Sequence, residues 1–185
     1  MRKELAYPGQ LRASLWRWVL VLAPGTLLLG MLSGAFAGSG AGNPWFAALE
    51  KPSLYPPPAL FGIAWSVLYV LMGVAAAMIV AARGARTRRT ALIAFAIQLV
   101  LNLAWSPLFF AAHQITLALI LLGVLDLAVI VTIVLFRTVR PVAALILLPY
   151  LAWILFATLL NWQFLVANPG ADGQETSGAV TRVQL

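Results

Sequence analysis

The sequence predicts an all-α membrane protein, a bundle of five transmembrane helices, and three observations lead there. Hydrophobic residues make up 63% of the 185 residues and charged residues 9%, against roughly 45–50% and 25% in soluble domains. Five runs at 18–38, 59–82, 91–112, 115–136 and 142–167 are free of charge apart from Asp126, and each is 21 to 26 residues long. A hydrocarbon core about 30 Å thick needs about 20 apolar residues at the helical rise of about 1.5 Å, so each run can span it. No run alternates with the two-residue period of an outer-membrane barrel strand.

Residues 1–17 form a basic N-terminal segment ahead of the first run. This run, 18–38, imitates a secretory signal through Ala35-Phe36-Ala37, but its apolar stretch exceeds the roughly 7–15 residues of a signal core. Gly30, Gly34 and Gly38 share one helical face, a spacing that lets two helices approach closely. Pro24 removes one backbone bond and is expected to bend the helix.

The loop at 39–58 carries Asn43-Pro44-Trp45-Phe46, then Glu50-Lys51-Pro52 and Pro56-Pro57-Pro58. Its prolines fix φ and are expected to exclude helix, which predicts a stiff, folded cap. The second run places Phe61, Trp65 and Tyr69 four residues apart, as one aromatic stripe. The third aligns Gln98, Asn102 and Trp105, with Phe109 continuing the face, and Pro107 predicts a kink. His113 sits in the short turn that follows, where a solvated role is expected rather than haem ligation.

The fourth run contains Asp126, whose burial in hydrocarbon costs roughly 2.5–3.5 kcal/mol and forces it inward. Its neighbours supply no second intramembrane ionisable group, so a structural, neutral acid is expected rather than a proton relay. The fifth run aligns Tyr150, Trp153, Ala157 and Asn161, with Pro149 as a further kink. The tail 168–185 is polar and glycine-bearing, and disorder is expected there.

Five antiparallel spans put the N-terminus, the second loop and the fourth loop on one side. Ten of the twelve basic residues lie there, leaving only Lys51 and Arg182 opposite. Basic residues stay cytoplasmic during insertion, which predicts a multi-pass cell-membrane protein with its N-terminus in the cytoplasm and its C-terminus outside. The net charge of +7 is thereby a topology signal and not a nucleic-acid-binding one. With no cysteine and one histidine, thiolate chemistry and His-cluster metal sites are excluded.

Amides in hydrocarbon need partners, so Gln98, Asn102 and Asn161 should face inward, either as interhelical glue or as ligand donors. Three aromatic stripes, each with a polar side chain or phenol, fit a largely apolar cavity with a few directed hydrogen bonds.

The succession Trp45…Leu49, Lys51-Pro52, Pro56-Pro57, Phe61, Trp65, Leu68-Tyr69, then Gln98-Leu99…Asn102…Trp105…Phe109-Phe110, then Pro149-Tyr150…Trp153…Leu160-Asn161 resembles the tryptophan-rich sensory protein family (TspO/MBR), relatives of the mitochondrial translocator protein. The resemblance covers about residues 25 to 168. It implies a five-helix domain over 18–167, a homodimer, and a pocket for porphyrin or haem-like tetrapyrroles. The positions carried over to that pocket are Trp45, Phe61, Trp65, Tyr69, Asn102, Phe109, Trp153, Ala157 and Asn161. Lys51, Pro52, Pro56 and Pro57 are carried over to the cap, with Lys51 within reach of ligand carboxylates.

Two departures matter. Ser53-Leu54 stands where many bacterial relatives have further tryptophans, which weakens tryptophan-radical chemistry. The apolar-tyrosine-basic pattern associated with sterols is missing after Asn161. The leading reading is a tetrapyrrole-binding membrane sensor with no resident cofactor. Porphyrin-degrading enzyme and transporter of porphyrin or lipid-like molecules are the alternatives, although transport lacks an inverted repeat.

Overall fold

The structure, a computed structural model, describes residues 8–174. Its helices are α1 (Pro8–Phe36), α2 (Pro44–Ala48), α3 (Pro58–Ala81), α4 (Arg88–Ser106), α5 (Ile115–Val139), α6 (Pro141–Ile146) and α7 (Leu148–Ala167). A π-helical turn, Pro107–Ala111, continues α4. Five segments are long and apolar enough to cross a membrane: Ala13–Phe36, Pro58–Ala81, Arg88–Ala111, Ile115–Val139 and Pro141–Ala167. The predicted fold class holds, and the large apolar side chains left exposed, such as Leu20, Ile63, Val100, Leu127 and Val166, are those a bilayer would solvate.

Three boundaries differ from expectation. The first helix begins at Pro8, inside the segment expected to precede the bundle, and runs through Pro24 as one element. The cap is not devoid of helix: Asn43 accepts a hydrogen bond from Phe46 N at 2.9 Å and Pro44 follows it in the first turn of α2. Proline is tolerated there because that N–H has no intrahelical partner in any case.

The third correction concerns the tail. Residues 168–174 are ordered against the loops. Asn168 accepts from Glu50 N at 2.7 Å and donates to Glu50 O at 3.0 Å. Asp172 accepts from Thr116 N and Thr116 Oγ1 at the start of α5, and Gly173 N donates to His113 O at 2.8 Å. Polar residues fold here because each meets a backbone group otherwise left unpaired at a helix end. The rest of the expected disordered tail, 175–185, and residues 1–7 lie outside the described residues.

The interior divides in two. At the end where α1 starts, Met72, Ala75, Ile79, Phe95, Leu125, Phe136, Ala143 and Tyr150 form a solid core. At the cap end, Trp45, Phe46, Leu49, Phe109, Phe110, Ile115, Leu160 and Phe164 form a second cluster, with a cavity beside it. α1 lies along α3 more extensively than any other helix pair. Gly73 permits this, since an added Cβ would fall within contact distance of Ala23 Cα, Leu22 O and Thr26 Oγ1. Thr26 Oγ1 meets Tyr69 O at 2.7 Å in the same seam.

Gly73→Ala is therefore expected to lower stability by about 1–3 kcal/mol through overpacking against backbone that cannot step aside. A detergent melting curve checks this. An unchanged midpoint would contradict the close approach.

Candidate functional site

α3 delivers Phe61, Trp65 and Tyr69 to one face because residues four apart lie above one another on a helix. Trp65 and Tyr69 sit with centroids 5.5 Å apart. α7 brings Trp153 against this stripe, 5.9 Å from Phe61 and 6.4 Å from Trp65, both edge-to-face. That is a geometry favoured by the ring quadrupole. α4 and the π turn that continues it supply Trp105 stacked on Phe109 at 5.2 Å.

These side chains line a cavity of about 620 Å³, together with α1 residues Gly30, Met31 and Gly34, Gly38 in the turn after α1, the cap residues Phe46 and Tyr55, and Asn102, Ala157, Asn161 and Phe164. The volume is that of a small-molecule site. Among the described residues, none that lines the cavity is charged. A ligand's ionised groups would have to remain at the mouth.

The polar atoms are directed. Tyr69 Oη donates to Asn102 Oδ1 at 2.7 Å. Trp105 Nε1 donates to Asn161 Oδ1 at 3.2 Å, and Asn161 Nδ2 donates to Ile115 O at 3.0 Å. Trp153 Nε1 is buried without a partner.

Eight of the nine expected pocket residues are thus brought together: Phe61, Trp65, Tyr69, Asn102, Phe109, Trp153, Ala157 and Asn161 all line the cavity. Trp45 does not. Its ring stacks on His113 at 4.5 Å and lies 5.5 Å from Phe109, so it supports the wall from behind. Neighbours in a helical turn point in different directions, and Phe46 occupies the cavity side in its place.

His113 is also outside the cavity. Its φ of 57° forms the tight turn before α5, and its Nδ1 pairs with Gln174 O at 2.8 Å.

The cap residues Lys51, Pro52, Pro56 and Pro57 shape the loop without lining the cavity. Lys51 Nζ donates to Phe46 O and to Leu49 O, closing the open end of α2, and lies 4.4 Å over the Phe46 ring. Partial burial pushes the Lys51 pKa down and the Tyr55 pKa up. Pro52 O accepts from Tyr55 N at 2.9 Å, a turn that sends the Tyr55 ring to Phe61, 5.4 Å away.

Sequence reasoning left Phe46, Tyr55, Trp105, Phe110 and Phe164 off the site. Trp105 was visible on the Asn102 face. Phe110 was hidden by the π turn, in which Ala112 N bonds Pro107 O at 2.9 Å and the helical phase slips.

Gln98 and Asp126 are interhelical ties away from the cavity lining. Tyr150 Oη donates to Gln98 Oε1 at 2.9 Å. Asp126 Oδ2 lies 2.9 Å from Thr158 Oγ1.

With this geometry in view, likeness to known proteins can be stated. The model of the TspO/MBR family matches residues 20–167. The human translocator protein is 40% identical over 146 residues, 76% of this chain and 86% of that protein. The tryptophan-rich protein TspO of Archaeoglobus fulgidus is 40% identical over 145 residues, 76% of this chain and 94% of that one. Protein CrtK of Rhodobacter capsulatus is 37% identical over 139 residues, 75% and 85% of the two chains.

Tyr69→Phe should leave Asn102 Oδ1 buried and unpaired, at a cost of about 1–3 kcal/mol. Thermal denaturation in detergent measures it. A variant as stable as the parent would mean that the Tyr69–Asn102 bond does not hold α3 to α4.

Proposed function

The chain belongs to the TspO/MBR family, and from that premise we propose that it is a membrane sensor whose cavity binds a tetrapyrrole. One observation carries the reading: a single uncharged cavity of about 620 Å³ is lined both by Trp65 with Trp153 and by Trp105 with Phe109. Flat, polarisable rings gain most from such walls, since aromatic pairs contribute about 0.5–1.5 kcal/mol beyond their burial. Asn102, which borders the cavity, offers its amide to polar groups of a ligand inside. Carboxylates on the ligand rim stay in the headgroup region at the mouth, where one Lys51 proton remains after the two given to carbonyls.

In this reading the cap end faces outward and the basic loops face the cytoplasm, supported by the ten-to-two distribution of lysine and arginine. A homodimer, implied by the family, belongs to the same reading, and the mass of the detergent-solubilised particle tests it.

Titration with protoporphyrin, read by tryptophan fluorescence quenching, tests the binding claim. Trp153→Phe and Asn161→Leu should both weaken binding; Trp153→Phe should keep its melting point near the parent's, whereas Asn161→Leu also leaves Trp105 Nε1 and Ile115 O unpaired and should melt lower. Unchanged affinity in both folded variants would remove the pocket from the proposal. Light-dependent bleaching of the bound pigment would favour an oxidative enzyme over a sensor. A reporter enzyme that works only outside the cytoplasm, fused after Leu185, should be active, and an inactive one would reverse the orientation.

A further inference from the structure

A second cleft, of about 240 Å³, lies at the opposite end of the bundle, between the start of α1 and the end of α3, and is lined by Ser14, Arg17, Trp18, Val21 and Arg83. We propose that it is a binding site for the headgroup of an anionic phospholipid. The proposal rests on the chain crossing a bilayer and not on the tetrapyrrole reading.

The cleft follows from how the two helices meet. Gly73 locks α3 against Ala23 and Leu22. α3 ends at Ala81, whereas α1 continues back to Pro8, so α1 runs on past its partner and leaves an open flank. Residues 14, 17, 18 and 21 share one helical face at spacings of three and four, and that face meets Arg83 as the chain leaves α3.

Two guanidinium groups therefore flank one recess. Among the described residues neither Arg17 nor Arg83 makes an ion pair or a side-chain hydrogen bond, and the described carboxylates Glu50, Asp126 and Asp172 belong to other parts of the chain. Arg88 makes the contrast: its Nε is spent on the Ile79 and Val80 carbonyls at the end of α3. Arginine's planar fork matches phosphate oxygens in pairs, and Ser14 adds a hydroxyl.

The chemistry changes along the cleft as it does along a lipid. Seven residues of helix separate Ser14 from Val21, about 10 Å, from a polar and basic end to Trp18 and Val21, which are 37% and 60% exposed. A phosphodiester between the guanidiniums would place its glycerol against the indole and its acyl chains along the apolar flank of α1. Basic pockets between transmembrane helices on the cytoplasmic side bind such headgroups.

The test is native mass spectrometry of the full chain in detergent with phosphatidylglycerol or phosphatidylcholine added at equal concentration. The parent should retain phosphatidylglycerol over phosphatidylcholine by roughly tenfold, and Arg17→Gln with Arg83→Gln should bring the two lipids close to parity. Arg86→Gln with Arg89→Gln removes the same charge outside the cleft and should keep the preference. All variants should melt at the parent's temperature, since these side chains are exposed. Equal loss in both double variants would mean diffuse surface charge. A preference surviving Arg17→Gln with Arg83→Gln would place the lipid elsewhere. Displacement of phosphatidylglycerol by an equal concentration of glycerol phosphate would make this a site for free phosphate. Each of these three results overturns the proposal.

Discussion

Hydrocarbon offers no hydrogen bonds, so every polar group carried into it must find a partner on the protein, and this constraint organises the whole bundle. Each transmembrane segment is tied to another by at least one such pair. Thr26 joins α1 to α3 through Tyr69 O. Ser33 joins α1 to α4 through Leu103 O at 2.6 Å. Tyr69 and Asn102 join α3 to α4, Gln98 and Tyr150 join α4 to α7, and Asp126 and Thr158 join α5 to α7. Where the pairing is complete the helices close on one another. The helices stand apart where Trp65, Asn102, Trp105 and Trp153 border the cavity.

Small residues and prolines decide where closure gives way to opening. Gly73 brings α1 and α3 into backbone contact at one level, while Gly30 leaves room for the Tyr69 ring a few turns away, so the same pair of helices is fused below and hollow above. The π turn starting at Pro107 turns Phe109 and Phe110 into the upper cluster. Asn43 Nδ2 binds Phe110 O at 3.1 Å, which fastens the cap to that turn. Asn168 fastens the middle of the cap through Glu50. The cap is thus held at two points by side-chain amides that read backbone groups.

Much of this was legible in the sequence because the governing signals are local. Run length and absence of charge gave five spans, and four-residue spacing put Phe61, Trp65 and Tyr69 on one wall and Asn102 with Phe109 on another. What was illegible depends on contacts between distant segments or on a shift of helical phase. Nothing in the polar string Asn168 to Gly173 announces that it will complete the hydrogen bonding of Glu50, His113 and Thr116. Pro107 reads as a kink, but only the structure shows a π turn that advances the face by one residue. Trp45 and Phe46 are adjacent, and sequence could not say which of them would enter the cavity. All three buried amides are interhelical ties, Gln98 with Tyr150, Asn102 with Tyr69 and Asn161 with Trp105 and Ile115, and Asn102 and Asn161 also border the cavity.

The account stands on the cavity being the place where a flat ligand is held, and the position of the ring in a structure of the protein saturated with protoporphyrin tests that most directly. The account predicts the macrocycle inside the cavity, against Trp65 and Trp153, with its carboxylates at the mouth beneath the cap. A macrocycle on the lipid-facing surface, with the cavity unfilled, would contradict it.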